Sequence, residues 1–158
     1  FAVYGVPPIR IDGEVVSSTL IRDAVTTGDL AKASRLLGRD YALYGEVKKG
    51  RQLARQLGFP TANVMPEAEM LPPFGVYAVE TKVAGSWRRG IANLGVRPTV
   101  ETTTPLPSLE VHLHDWSGDL YGQDLEVKLG RFIRPEKKFD SLDELKKQIA
   151  EDVRDSVL

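Results

Sequence analysis

The sequence contains no cysteine, and it has only two histidines in 158 residues. Without cysteine no disulfide scaffold can form, so the fold needs nothing from an oxidising environment. No apolar run in this sequence reaches membrane-spanning length, and no segment of it has the pattern of a signal peptide. The 21 basic and 22 acidic residues leave a net charge of −1, without the long-range positive field on which non-specific nucleic-acid binders depend. These absences predict a cytoplasmic protein with small-molecule ligands and no membrane or nucleic-acid partner.

The length fits one domain with a short appendage. The chain begins at Phe1 rather than at methionine, and we expect a fragment of a longer protein. Asp12-Gly13 predicts a turn between two short β-prone segments. Ser17 and its neighbours cap a helix that Gly28 ends, and Asp29 caps a second short helix.

From Tyr41 onward, short alternating segments recur at regular intervals, which predicts an all-β barrel or sandwich. The predicted strands are Ala42–Lys48, Thr61–Val64, Val76–Val83, Trp87–Leu94, Leu109–His114 and Leu125–Leu129. The polar, proline-bearing stretch from Glu101 to Ser108 is predicted to be a mobile loop. Ser141 and Glu144 form a capping box, and an apolar stripe from Leu142 predicts a final helix across the barrel.

Pro60 marks the point where a loop becomes an extended segment, because its φ is fixed and it has no N–H. Thr61 and Asn63 lie two residues apart and project to one side, while Ala62 and Val64 face the core. Two neutral oxygens beside a basic loop suit a Mg²⁺-nucleotide, since Mg²⁺ takes few protein ligands and fills its shell with phosphate and water. On this pattern alone, a polar strand start after a turn is the alternative.

The segment from Gly45 to Gln52 matches the sequence pattern of a P-loop at all but two positions. Arg-Gln stands where a P-loop requires Lys and then Ser or Thr, and the segment lies in a β region. Backbone N–H groups from Lys48 to Gly58 can still hold phosphates, helped by basic side chains. These are Lys48, Lys49, Arg51 and Arg55. Each of them alone is equally well an ordinary solvated residue.

The segment Leu109–His114 alternates, which puts Glu110, His112 and His114 on the face opposite the apolar residues. On pattern alone, Glu110 is an ordinary surface residue. Two histidines two residues apart suggest a metal site, but zinc sites need three or four ligands and no third ligand motif lies nearby.

The hexapeptide Gly58–Asn63 is preceded by Gly45-Glu46-Val47 and Gly50, and further segments follow it in a fixed order. They are Gly75–Val79, Ala92–Gly95, Arg97–Thr99, Leu109–Leu113, Asp119–Gly122 and Phe139–Leu142. Together they resemble the riboflavin kinase module of bacterial bifunctional FAD synthetases. The resemblance spans the chain from about Tyr41 to its end.

This resemblance implies a mainly β fold, a six-stranded antiparallel Greek-key barrel with a C-terminal helix and a short α-helical N-terminal remnant. It also implies transfer of the γ-phosphate of ATP to the ribityl 5′-hydroxyl of riboflavin, giving FMN and ADP. Glu110 is implied as the catalytic base, and Thr61 and Asn63 as ligands of Mg²⁺. The implied nucleotide-binding residues are Gly45, Lys48, Gly50, Arg51, Arg55, Gly58, Pro60, Thr61 and Asn63. We expect the isoalloxazine ring in an apolar slot between barrel and final helix, bordered by the loop from Val96 to Ser108.

Residues 1–39 are expected to be the C-terminal remnant of an FMN adenylyltransferase module, and residues 40–158 the kinase domain. The stretch from Ser17 to Arg22 resembles the closing motif of that module, but the paired-histidine motif that opens it is absent, so no FAD formation is expected. Ala54 stands where the family usually has glycine, which leaves the loop shape there an open question. A non-catalytic barrel that binds flavin or a nucleotide is the alternative.

Overall fold

The structure, a computed structural model, describes residues 1–50, 53–97 and 106–157. Strands β1 (Arg10–Ile11) and β2 (Glu14–Val15) form the predicted hairpin. Helix α1 (Ser18–Thr26) is capped by the Ser17 side chain, and helix α2 (Leu30–Leu37) by that of Asp29. Gly38 ends α2 in the left-handed region that favours glycine. These predictions are confirmed.

Six strands close into an antiparallel barrel. They are β3 (Ala42–Lys48), β4 (Ala62–Pro66), β5 (Gly75–Val83), β6 (Ser86–Arg97), β7 (Leu106–Leu113) and β8 (Asp124–Pro135). Their order around the barrel is β3-β4-β7-β6-β5-β8, and β8 pairs back to β3. Strands β5, β6 and β7 form a meander, and β8 returns to lie beside β5, which is the Greek-key arrangement. The predicted fold is confirmed.

Apolar side chains from alternate positions of all six strands fill the barrel. Among the most deeply buried are Leu43, Val64, Tyr77, Leu94, Leu109 and Val127. Burying each such side chain stabilises the fold by roughly 1.5–3 kcal/mol. The predicted inward faces of β4 and β7 are confirmed, because Ala62, Val111 and Leu113 are buried as well.

Two further helices lie around the barrel, the short α3 (Leu53–Gln56) and the longer α4 (Leu142–Val157). The Ser141 side chain accepts a hydrogen bond from the Glu144 N–H at the start of α4, as the capping box predicts. In the described part of the chain, no helix has both the length and the apolar character needed to cross a membrane.

Strand β3 has the predicted ends, Ala42 and Lys48, but several other strands begin or end elsewhere than predicted. Leu106–Ser108, predicted as part of a mobile loop, begins β7 and pairs with β6, so that part of the prediction is wrong. Residues 101–105, the rest of the predicted loop, lie outside the described residues. Strand β8 continues past Leu129 to Pro135, with register shifts against β5 near Tyr77 that break the alternation along it. The predicted strand Thr61–Val64 begins one residue later, at Ala62.

Candidate active site

A row of polar residues crosses four neighbouring strands on the outside of the barrel. In register, Lys48 pairs with Asn63, Asn63 with Glu110, and Glu110 with Asn93. Directly opposed residues of antiparallel strands project to the same face. Glu110 therefore lies between two asparagines. Asn93 was missed as a functional candidate, although the segment Ala92–Gly95 was among the motifs recognised in the sequence.

One cavity, of about 210 Å³, lies between this outer face and α4, and we call it the helix cavity. Its apolar wall is made by Phe59, Val76, Ile91, Phe139, Leu145 and Ile149. Its polar lining includes Thr61, Asn93, Glu110 and His112. The slot expected between barrel and final helix is therefore present. The border expected from the loop between Val96 and Ser108 falls mostly on residues 98–105, which lie outside the described residues, so it stays a prediction.

A buried ion pair fastens α4 to the barrel at this cavity. The Arg134 guanidinium on β8 donates two hydrogen bonds to the Asp152 carboxylate, of 2.8 and 2.7 Å. Gln148 donates a third, of 3.2 Å. Asp152 is only 2% exposed, and such a charge needs paired donors to stay buried. The helix thus has one defined position over the cavity.

A second cavity, of about 500 Å³, lies between the segment before β4 and the loop after β7, and we call it the loop cavity. Arg55 and Pro60 line one side of it. Trp116, Asp119 and Tyr121 line the other. The Asp119 side chain accepts a hydrogen bond of 3.0 Å from the Tyr121 N–H, an arrangement typical of an Asx turn. The contribution of Trp116 and Tyr121 to a cavity was not predicted.

Thr61 is the one residue found in the described lining of both cavities. Pro60, directly before it, lines the loop cavity, and Phe59 lines the helix cavity. The segment 59–61 is therefore the wall between the two cavities.

The predicted metal ligand Asn63 lies beside this wall rather than in it. Asn63 is 3% exposed, and its Oδ1 atom has no hydrogen-bond partner in the described part of the chain. Gly50 packs directly against its carboxamide, so that a Cβ at Gly50 would lie 2.1 Å from Nδ2. A side chain at Gly50 would therefore require the Asn63 carboxamide to move.

The other predicted binding residues are spread along the segment that leads to the wall. Gly45 lies where β3 crosses β4 closely, and a Cβ there would be 2.0 Å from the Met65 carbonyl oxygen. Lys48 is exposed and pairs with Glu46. Gly58 has a φ of +91°, which glycine adopts without strain. Arg51 lies outside the described residues.

Ala54 lies in the short helix α3, and its carbonyl accepts hydrogen bonds from the N–H groups of Leu57 and Phe59. A helical backbone accommodates alanine well. The question that the missing glycine raised about loop shape is thereby answered.

The two histidines do not form a metal site with each other. His112 Nδ1 bonds to the Pro60 carbonyl oxygen at 2.9 Å, and His114 Nε2 to the Ser156 hydroxyl oxygen at 2.9 Å. The described residues contain no group of three or more His, Cys, Asp or Glu side chains able to hold a metal. Burial lowers the pKa of His114, nearby His112 lowers it further, and Asp115 opposes the shift.

A family model described as Flavokinase, riboflavin kinase, matches residues 37–157. The chain belongs to the riboflavin kinase family. The resemblance recognised in the sequence is thus confirmed, and so is the prediction of a kinase module.

Individual relatives of this riboflavin kinase family member support the same family assignment. The chain is 45% identical to a bifunctional riboflavin kinase/FMN adenylyltransferase of Haemophilus influenzae over 144 residues, 90% of this chain and 46% of the relative. It is 48% identical to the one of Escherichia coli K12, covering 89% of this chain and 44% of the relative. A crystal structure described as a macrolide-efflux protein from Streptococcus pneumoniae superposes with a TM-score of 0.81 at 33% identity, over 93% of this chain and 48% of that one. The chain spans about half the length of the curated relatives it matches.

Riboflavin kinases use ATP, which implies a divalent cation. The residues present fit a divalent cation that is bound mainly through phosphate. The described part of the chain has no cluster of carboxylates that could hold the cation alone, and Mg²⁺ commonly takes few protein ligands. The buried Oδ1 of Asn63, which has no hydrogen-bond partner among the described residues, is a neutral oxygen of the kind such an ion accepts.

Proposed function

We propose that this chain transfers the γ-phosphate of ATP to the ribityl 5′-hydroxyl of riboflavin, giving FMN and ADP. The observation that carries the proposal is the position of Thr61, which lines both cavities. A flavin in one cavity and a nucleotide in the other would meet at this residue. Membership of the riboflavin kinase family supports the same reaction.

We place riboflavin in the helix cavity, where aliphatic and aromatic walls suit the isoalloxazine ring. Thr61, Asn93 and Glu110 also line this cavity, and we propose that the ribityl chain extends past them toward the wall between the cavities. ATP would occupy the loop cavity, whose lining combines the Arg55 cation with the rings of Trp116 and Tyr121. Phosphates suit the cation, and a base suits aromatic faces.

Glu110 would orient the ribityl 5′-hydroxyl and accept its proton while the oxygen attacks the γ-phosphorus. The new bond joins that oxygen to phosphorus, and the bond from phosphorus to the bridging oxygen of ADP breaks. Mg²⁺, held by Thr61 and Asn63, would neutralise charge on the phosphates. Lys48, Arg51 and the backbone around Gly50 and Gly58 would hold the phosphates in line.

We also propose that residues 1–39 belong to an FMN adenylyltransferase module, the partner domain named in the relatives, and residues 40–158 to the kinase domain. An alignment of 153 residues with the bifunctional protein of Pseudomonas fluorescens supports this, since it must extend well before residue 37. The absence of FAD formation and the cytoplasmic location stay predictions.

The test is to incubate the purified chain with riboflavin, ATP and Mg²⁺ and to separate the flavins chromatographically by fluorescence. We expect FMN, no FAD, and no product when either ATP or the divalent cation is left out. No FMN from a sample that binds riboflavin or ADP would overturn the kinase proposal in favour of a non-catalytic binding module.

A further inference from the structure

The wall between the two cavities lies outside the strand ladder. The antiparallel pairing of β4 with β7 begins at Ala62, directly after Thr61. On the other side of the wall, Gly58 makes a turn with a positive φ. The position of Thr61 therefore depends on contacts from elsewhere in the molecule.

One side chain makes two contacts with this wall. His112 Nδ1 lies 2.9 Å from the Pro60 carbonyl oxygen, and its ring meets that of Phe59 edge to face, with centroids 5.5 Å apart. A carbonyl oxygen can only accept, so Nδ1 carries the hydrogen of this bond. The imidazole thus fixes the backbone on the N-terminal side of Thr61 and the ring beside it.

His112 lies two residues beyond Glu110 on β7, on the same face of the strand. Strand β7, which carries the proposed base, therefore also positions the segment 59–61 between the two cavities. A shift of about 1 Å in such an arrangement can lower a rate by 10²-fold.

We propose that His112 is a positioning residue, which holds Thr61 between the two cavities in a fixed relation to Glu110. It does so through the hydrogen bond from Nδ1 to the Pro60 carbonyl. The inference rests on the proposed phosphoryl transfer, since it concerns the geometry of that reaction.

Two substitutions of His112 separate this role from a merely structural one. The amide N–H₂ of His112→Asn reaches the place of Nδ1, whereas that of His112→Gln reaches the place of Nε2. We expect His112→Gln to lower kcat about 10- to 100-fold and to raise the Mg²⁺ concentration needed for half-maximal rate. His112→Asn should restore both quantities to within a few-fold of the unaltered protein, although both variants lose the ring.

His114→Gln is the matched control, because it retains a donor at Nε2, the atom that contacts Ser156, and should leave kcat unchanged. Equal kcat and Mg²⁺ dependence in the Asn and Gln variants of His112 would overturn the proposal. If the unaltered chain makes no FMN, the proposed function itself has failed, which is a different result.

A measurement without substitutions covers the case in which the variants do not fold. Nitrogen-15 spectra of the unaltered protein at mildly alkaline pH, where an ordinary imidazole is neutral, report which ring nitrogen carries the proton. We expect His112 in the Nδ1–H form. The Nε2–H form would overturn the proposal, because the Pro60 carbonyl could then receive no hydrogen bond.

Discussion

Glu110 owes its setting to strand register. Asn63 on β4 and Asn93 on β6 flank it, and its own neighbours Leu109 and Val111 are buried in the barrel. A shift of one residue in the pairing would turn Glu110 into the core. The apolar interior thus fixes where the proposed base lies.

Replacing Glu110 by glutamine preserves the shape of the side chain but removes its ability to take a proton. We expect kcat to fall by about 10²- to 10⁴-fold, with little change in the dissociation constant of riboflavin. Steady-state kinetics and flavin fluorescence titration measure the two quantities. Glu80→Gln, which alters an exposed pair with Arg89, is the control, and near-normal turnover of Glu110→Gln would exclude the base role.

Asn63→Ala removes the buried oxygen that has no partner in the described part of the chain. Because we assign that oxygen to the divalent cation, the Mg²⁺ concentration for half-maximal rate should rise. Asn93→Ala, on the other side of Glu110, should leave this concentration unchanged. An unaltered Mg²⁺ titration of the Asn63 variant would count against Asn63 as a ligand.

His114 makes stability depend on pH. The folded protein binds a proton at His114 more weakly than the unfolded chain does, because its pKa is lowered on folding. Its contribution to the free energy of unfolding is therefore complete above the unfolded pKa, about 6.5, and is lost as pH falls toward the lowered folded value. Denaturant unfolding at pH values above and below this window measures the effect. The free energy of unfolding should fall less at acid pH for His114→Gln than for the unaltered protein. Parallel curves would contradict this prediction.

At the scale of elements, α4 is held by the pair between Arg134 and Asp152. The Asp152 side chain is 3% exposed and that of Arg134 19%. We expect Asp152→Ala to lower the free energy of unfolding by about 3 kcal/mol, because it leaves a largely buried guanidinium without its partner. Urea unfolding measures the loss, and the KM for riboflavin should rise because α4 forms one wall of the helix cavity. Asp155→Ala, on an exposed position of the same helix, is the control; equal stabilities of the two variants would refute the anchoring role.

The alternating pattern was sufficient to predict that each barrel strand exists, and capping residues were sufficient for α1, α2 and α4. The ends of strands were less predictable, because pairing partners rather than local pattern decide them. Pro107 suggested a loop, yet it pairs opposite Val96 in β7. Likewise the helix α3 is only four residues long, too short for its apolar spacing to be recognised.

At the site, motif resemblance pointed to Glu110, Thr61 and Asn63, and the structure places the first two in the lining of a shared cavity. The roles of Asn93, Arg134 and Asp152 depend on pairing between distant segments. No local signal in the sequence reports such pairing. The loop cavity was missed for the same reason, since its two sides come from segments some sixty residues apart.

At the scale of the whole molecule, the N-terminal helices pack on the barrel without completing it. Leu30 of α2 joins the barrel core, and the Ser34 hydroxyl accepts a hydrogen bond from the Tyr41 N–H. The six strands close through their own ladders. The helices therefore act as a cover on one part of the barrel.

Residues 40–158 alone should thus fold and form FMN, with a lower melting temperature than the full chain because Leu30 no longer buries its side chain. Circular dichroism and the flavin assay test this prediction. Failure of the shorter chain to fold would show that the proposed boundary after residue 39 divides one folding unit. The full chain, measured in parallel, is the reference.

Thr61 forms part of the boundary of two separate spaces, and this has a thermodynamic consequence. If a nucleotide that moves Thr61 changes the affinity for flavin by some factor, the flavin must change the affinity for that nucleotide by the same factor. Two titrations, each performed with and without the other ligand, would give one coupling free energy measured twice. Through this one threonine, each substrate would change the affinity of the chain for the other.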